Sequence, residues 1–257
     1  MFLFTRRLGK WENLKNCMNQ YLYKIVSNNK NNAYLQYHAA RYNKLLNLLF
    51  QYYTGKQRIL DIGRSVFTEI AFGLLKTKID TLGFEEDKET EFGFNYKFDL
   101  NNTQDPKNFR KDIPKYDIII LAEVIEHLHT SPKLVLSFIR SILKENGIVI
   151  IQTPNAVVAH KRIKMLFGYH PYALISEDIL VPSHFREYTV DEVRDYCRHT
   201  GFEIEKMTFE NYFDYRYRID SSGGFKKRNF YRIINIFYRF LPHSFWPGLC
   251  FVVRSIK

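Results

Sequence analysis

Apolar positions in residues 34–53 recur at helical spacing and predict an amphipathic helix. The pattern then shortens. Arg58-Ile-Leu-Asp-Ile-Gly63 reads as a strand and turn, followed by a helical stretch through Leu75. Ile79 to Phe84 and Tyr96 to Leu100 are further strand candidates, and Ile118 to Leu121 is a short, wholly apolar strand. Pro132 to Leu143 reads as a helix, and Asn146-Gly147 turns the chain into the strand Ile148–Ile151, which ends at Thr153-Pro-Asn155. Strands alternating with helices imply parallel crossovers, so the expected fold class is α/β with a doubly wound, mostly parallel sheet. Residues 156–187 break the rhythm with mixed aromatic and basic content and read as an inserted lid. Val190 to His199 forms another helix, with Thr189 and Asp191 as start signals. Gly201 to Lys206 is a turn and strand, Ser221-Ser-Gly-Gly224 a loop, Arg228 to Leu241 a basic aromatic helix, and Gly248 to Ile256 a final strand. The expected division is a helical, basic N-terminal extension over 1–55 and one α/β domain over 56–257, whose basic aromatic C-terminal segment spans 212–257.

Charge refines this picture. The chain of 257 residues carries a formal net charge of +11. Residues 1–48 hold 8 Lys/Arg against 1 acid, and residues 212–257 hold 9 against 2, whereas the middle is mildly acidic. Two basic flanks point to an anionic contact such as a membrane surface, nucleic acid or a charged substrate, with plain solvated surface as the alternative. The three cysteines, Cys17, Cys197 and Cys250, are isolated and have neither metal-site nor disulfide-framework spacing, which fits a reducing cytoplasm. The apolar start Met1-Phe-Leu-Phe is too short for a signal peptide, and no segment approaches the roughly 20 apolar residues of a membrane span.

The candidate chemistry lies just past the Ile118–Leu121 strand, where Glu123, Glu126 and His127 follow directly. Open α/β sheets bind ligands at the C-terminal edge of their strands, so these groups are placed to face a pocket. Two carboxylates and an imidazole are costly to bury unless they are paired, protonated or ligated.

The order of pieces resembles the class I S-adenosylmethionine-dependent methyltransferases, in the broad group of ubiquinone-type O-methyltransferases and glycan-modifying relatives. The resemblance covers about residues 56–210. It rests on Ile59-Leu-Asp-Ile-Gly63, Phe98-Asp-Leu100, Asp117 through His127, Asn146 through Asn155, and His184-Phe-Arg-Glu-Tyr-Thr189 with Gly201-Phe202. It implies a seven-stranded, Rossmann-like sheet and S-adenosylmethionine as cofactor. It also implies that Asp61, Gly63 and Ser65 lie at the cofactor turn, with an acid at the end of the second strand, Glu85, on the ribose. Asp99 falls on the adenine amino group, and Leu100 and Glu123 are counted with the cofactor-binding residues, although a strand-end turn role for Asp99 remains open. The family's Asp-x-Gly-x-Gly-x-Gly becomes Asp61-Ile-Gly-Arg-Ser-Val-Phe67 here. Ser65 is expected in a left-handed or tight turn, and Phe67 against the methionine moiety would require rearrangement.

Glu123, Glu126, His127 and His184 are the candidate catalytic residues, with two readings. Either His127 or His184 acts as general base on an acceptor hydroxyl, or all four hold a divalent metal, as in the Glu-x-x-Glu-His site of the small-RNA 2′-O-methyltransferase family. A purely structural alternative has Glu126 capping the next helix and His127 bonding a loop carbonyl; His129 reads as a surface residue of that helix. No Asn-Pro-Pro-Tyr-like amine-methylating motif is present, which favours a hydroxyl acceptor on a small molecule, glycan or lipid-linked sugar. No recognised RNA-binding module accompanies the domain, so nucleic acid is not the expected partner. The lid's Lys161, Arg162, Lys164, Phe167, Tyr169, His170 and Tyr172 suit either acceptor stacking or a small core of the lid's own. The helix Arg228–Leu241 suits an interfacial membrane contact, making the protein cytoplasmic with a membrane-associated option, or else covers the sheet. A catalytically silent, methyltransferase-like scaffold is the reading from a different class, motivated by the eroded glycine turn.

Overall fold

The computed structural model describes residues 19–175, 183–217 and 227–256; Cys17 and the loop expected at Ser221–Gly224 lie outside them. In chain order the elements are a helix over residues 19–28 (α1), α2 (Ala33–Tyr52), β1 (Ile59–Ile62), α3 (Val66–Leu75), β2 (Ile79–Gly83), β3 (Lys88–Glu89), β4 (Phe94–Lys97) and β5 (Tyr116–Ala122). Then follow α4 (Pro132–Ser141), β6 (Leu143–Pro154), α5 (Ala159–Leu166), α6 (Val190–His199), β7 (Phe202–Glu210), α7 (Arg232–Phe240) and β8 (Gly248–Ser255). They form a single sheet in the order β3-β4-β2-β1-β5-β6-β8-β7. The five strands from β4 to β6 run parallel, while β8 is antiparallel to both β6 and β7. The doubly wound sheet is as expected, with an eighth strand, the two-residue β3, paired antiparallel to β4 at the edge.

The central strands read as unbroken apolar runs because both faces of the sheet are covered. Ile119, Leu121, Val149 and Ile151 pack with Val135, Phe138 and Ile139 of α4 and with Val193 of α6. Their neighbours Ile118, Ile120, Ile148 and Ile150 point the other way, onto Leu45, Leu46 and Leu49 of α2 and Phe67 and Ile70 of α3. Helix α2, expected in an extension separate from the domain, therefore supplies the core of one sheet face. Its start is set by Asn32, whose side chain accepts from the Leu35 N–H at 2.9 Å. Helix α6 matches its expected bounds, and Thr189 and Glu192 form the reciprocal capping box that starts it.

Two expectations change. The lid segment contains α5, and Val158 and Ala159 form a small separate core with Tyr238 of α7. Helix α7 does not cover the sheet. It packs through Ile234 and Tyr238 on that small core and leaves Ile233, Phe237 and Phe240 in solvent, together with Phe230 just before it. Among the described residues no helix is long and apolar enough to cross a membrane.

Candidate active site

Strands β4, β2, β1, β5 and β6 deliver their C-terminal ends to one edge of the sheet; the sequence-predicted site residues sit at or after those ends or on the segment that crosses them, although Asp61 and Leu100 turn their side chains into the interior. At the end of β1, Gly63 adopts φ +79° and its N–H bonds the Leu82 carbonyl at 2.9 Å. This is a left-handed turn that glycine enters without a steric penalty. Ser65 is not left-handed. It is extended at φ −145° and caps α3, in a capping box with Thr68. Phe67 turns away from the edge into the core beside Tyr42, with ring centroids 6.0 Å apart. The lost glycines thus leave the turn open, because Ser65 starts the helix and Phe67 belongs to the opposite side of the backbone.

Asp61 lies inside the protein rather than on the cleft surface, accepting from the Thr68 hydroxyl at 2.6 Å. Burial pushes its carboxyl up to about 7, against the Thr68 hydrogen bond and the nearby Arg41. Glu85, past the end of β2, is exposed and ion-paired with Lys88 at 3.1 Å and Arg64 at 3.7 Å, so it bridges the loops after β1 and β2. Asp99 caps the short helical turn Leu100–Gln104 by accepting from the Asn101 N–H at 2.8 Å, which is its strand-end role. Leu100 contributes its side chain to the core.

At the end of β5, Glu123 is held at φ +55°, and its N–H bonds the Gln152 carbonyl at 2.8 Å. A positive φ at a non-glycine residue is costly and here aims the side chain across the edge. The hydroxyl of Tyr212 donates to Glu123 Oε1 at 3.3 Å. Burial raises the Glu123 carboxyl, opposed by the charges of Arg41 and His184. Glu126 is 0 % exposed and accepts from the Thr153 hydroxyl at 3.0 Å through one oxygen, while Oε1 is buried without a hydrogen-bond partner. Burial, then the charge of Glu123, push it well above the ordinary carboxylate range, so the protonated form is favoured. Glu126 does not cap the next helix, whose cap is Ser131. His129 is exposed in the turn before that helix, its N–H donating to Asn101 Oδ1.

The segment 183–189 is laid over this edge by main-chain bonds. The N–H groups of Phe185 and Arg186 donate to the Glu126 carbonyl, and Tyr188 bridges to Asn155. That places the His184 ring 4.8 Å from the His127 ring. His127 Nδ1 lies 3.0 Å from the Ser183 carbonyl, which can only accept, so Nδ1 carries the proton and Nε2 a lone pair in the neutral ring. Burial holds His127 below the usual imidazole range. His184 Nδ1 lies 2.9 Å from Glu187 Oε1, and the other oxygen of Glu187 pairs with Lys161 of α5. Burial pushes the Glu187 carboxyl up, but the His184 hydrogen bond and the Lys161 charge outweigh it and hold it below its ordinary range. A carboxylate on Nδ1 fixes the tautomer and orientation of the ring, leaving Nε2 with the lone pair. Glu126, His127 and His184 each offer a ligand atom within 4.8 Å of the others'. Glu123 stands outside that group, so three of the four residues proposed as metal ligands come together.

Several residues of the site escaped the sequence reading. Arg41 of α2 is buried beside Glu123, Tyr212 and Asp61, and its Nε has no hydrogen-bond partner. An arginine within the apolar stripe of residues 34–53 was its signal. Tyr212 carries no local motif; Glu187 lies within the His184–Thr189 motif and Lys161 within the lid, but their pairing with each other and with His184 becomes visible only when the chain closes over the edge.

Comparison with known proteins agrees with this geometry. A family profile described as a methyltransferase domain matches residues 34–207, beginning inside α2 rather than after it. A ubiquinone biosynthesis O-methyltransferase from Rickettsia canadensis (strain McKiel) is 29% identical over 162 residues; the match spans 59% of this chain and 65% of that relative, less than two thirds of its length. An S-adenosylmethionine-dependent methyltransferase from Archaeoglobus fulgidus superposes with a TM-score of 0.52 at 18% identity, over 83% of this chain and 94% of the other. One from Mesorhizobium loti gives 0.52 at 13%, over 82% and 96%. At such identities the likeness is one of fold, whereas the profile covers well over half of the chain. The chain belongs to the methyltransferase-domain family, in the Rossmann-like fold of the class I S-adenosylmethionine-dependent enzymes.

Proposed function

We propose that the protein methylates a hydroxyl group of a small molecule, glycan or lipid-linked sugar, with S-adenosylmethionine as donor. The observation that carries this reading is the His184–Glu187 pair beside His127, which leaves an imidazole Nε2 with a lone pair at the sheet edge. The cofactor's place is supported by the open left-handed turn at Gly63 and by the turning of Phe67 into the core. The unpartnered Nε of buried Arg41 adds a cation suited to the cofactor's carboxylate. Gly63, Ser65, Glu85, Asp99 and the Leu100 backbone would hold the rest of it, with Asp61 bracing the turn from below through Thr68. When bound, S-adenosylmethionine supplies an activated methyl group. His184 takes the proton of the acceptor hydroxyl on Nε2, and Glu187 steadies the imidazolium that forms. Glu126, kept protonated and wholly buried, does not reach the acceptor; its free oxygen lies 3.9 Å from His127 Nε2, so it sets the polarity behind the two imidazoles, while Tyr212 holds Glu123 by donating to it. The relative named for ubiquinone O-methylation supports oxygen as the atom methylated.

Calorimetric titration with S-adenosylhomocysteine tests the cofactor site first. Micromolar binding is expected, and no binding at millimolar concentration would reduce the chain to a scaffold. Transfer of labelled methyl to a panel of sugars and catechols should then yield a base-stable ether, and a methylamine product would overturn the hydroxyl reading. His184→Ala is expected to lower kcat by about 10²–10⁴-fold with homocysteine-product affinity unchanged.

A second reading is favoured by the grouping of Glu126, His127 and His184, which would suit a divalent cation that gathers the acceptor's hydroxyls. Loss of activity with a chelator and its return with magnesium or manganese would select it, and a requirement for RNA ends would identify the acceptor.

A further inference from the structure

Helix α7 divides its surface three ways. Ile234 and Tyr238, with Leu241 beyond the helix end, pack on the small core against α5. Arg232, Asn235 and Arg239 line a cleft of about 370 Å³ with Arg216, and Ile236 borders both this cleft and the next stripe. Ile233, Ile236, Phe237 and Phe240, spaced i, i+3, i+4, i+7, share a third stripe that stands in solvent. Phe230 just before the helix is 80% exposed and Phe240 82%. At about 100° per residue the two helical arginines fall directly beside this apolar stripe, on the side away from the packed face. Helix α5 adds exposed apolar groups of its own. Ala159 is buried against α7, while Ile163 and Leu166, on the same face at i+4 and i+7, run out into solvent, with Leu166 80% exposed.

Charge identifies the occupant. Residues 156–175 and 227–256 contain no Asp or Glu, yet hold Lys161, Arg162, Lys164, Lys227, Arg228, Arg232, Arg239 and Arg254, the last of these paired with Glu205 of β7. Arg216 is engaged by Asp214, but Arg232 and Arg239 make no ion pair among the described residues. A second copy of this surface would repel the first. A nucleic acid would satisfy the arginines and leave the aliphatic stripe wet. We propose that α5 and α7 form a docking face for an anionic lipid bilayer, with the apolar stripe entering the headgroup boundary and Arg232 and Arg239 on lipid phosphates. The face adjoins the site, since Lys161 of α5 holds Glu187 and through it His184. The proposal concerns binding and stands whether or not the acceptor is a lipid.

Co-sedimentation of the full chain with vesicles of phosphatidylcholine, alone or mixed with phosphatidylglycerol, tests it, with S-adenosylhomocysteine binding reporting that each variant is folded. Binding to the anionic vesicles that weakens with salt is expected. Arg232→Gln with Arg239→Gln should reduce it about 30-fold, at about 1 kcal/mol per basic residue. Phe237→Ser with Phe240→Ser should reduce it on the order of tenfold or more. Equal binding to neutral vesicles, no binding to either, or a dimer in sedimentation velocity that the Phe variants dissociate would each overturn the proposal.

Discussion

Asp61 shows how a residue that reads as a ligand contact serves from beneath. Its carboxyl is buried under the Gly63 turn, bonded to Thr68 and pushed up to about 7. A raised carboxyl contributes fully to stability only while it stays protonated, and that contribution is lost as pH rises through the folded-state value. The gap from an ordinary 3.8 to about 7 corresponds to about 4 kcal/mol as an upper limit, at 1.36 kcal/mol per pH unit. Between pH 4 and pH 8, Asp61→Asn should therefore gain on the wild type by up to that amount in denaturant-derived unfolding free energy. A constant difference between the two across the range would mean that Asp61 is ionised and paired in the folded state. The sequence placed Asp61 at the correct turn but could not orient its side chain, because the strand pattern of Ile59–Ile62 is apolar on both faces and marks neither as the cleft.

The elements were legible where one period dominated. Strand β5 and helix α6 were found because an apolar run bounded by polar groups and a Thr189-to-Glu192 box are local signals. Strand β3, two exposed residues long, carries no periodic signal at all. Helix α2 was recognised as a helix but assigned to an extension, since nothing local shows which partner an amphipathic face meets. Its Leu46 and Leu49 are buried on β1 and β5 residues. Leu49→Ala should cost about 2–5 kcal/mol in equilibrium unfolding, the range for a buried leucine in a close-packed core. The exposed Lys56→Ala, just beyond the helix, should cost under about 0.5 kcal/mol. A loss below 1 kcal/mol at Leu49 would return α2 to the status of an appendage.

At the scale of the whole molecule the two faces of the sheet should unfold together, because adjacent residues of β5 serve opposite cores: Ile118 and Ile120 one, Ile119 and Leu121 the other. The α5–α7 unit stands apart: among the described residues its apolar core holds three buried residues, Val158, Ala159 and Tyr238, with partly buried neighbours around them. Local opening requires the exposure of little apolar surface there, so its amides should exchange through sub-global motions while those of β5 and β6 wait for global unfolding. Hydrogen exchange followed by mass spectrometry should show α7 exchanging orders of magnitude faster than β5. Tyr238 also carries the hydrogen bond from the Trp246 indole to its carbonyl and the contact of its hydroxyl with His160. Tyr238→Ala should speed exchange in both α5 and α7 and leave protection in β5 unchanged. Equal protection of α7 and β5 in the wild type would show instead that the unit is part of the main cooperative core. A loosely held unit is compatible with the docking face proposed above, and the buried Lys161–Glu187 pair ties that unit to His184.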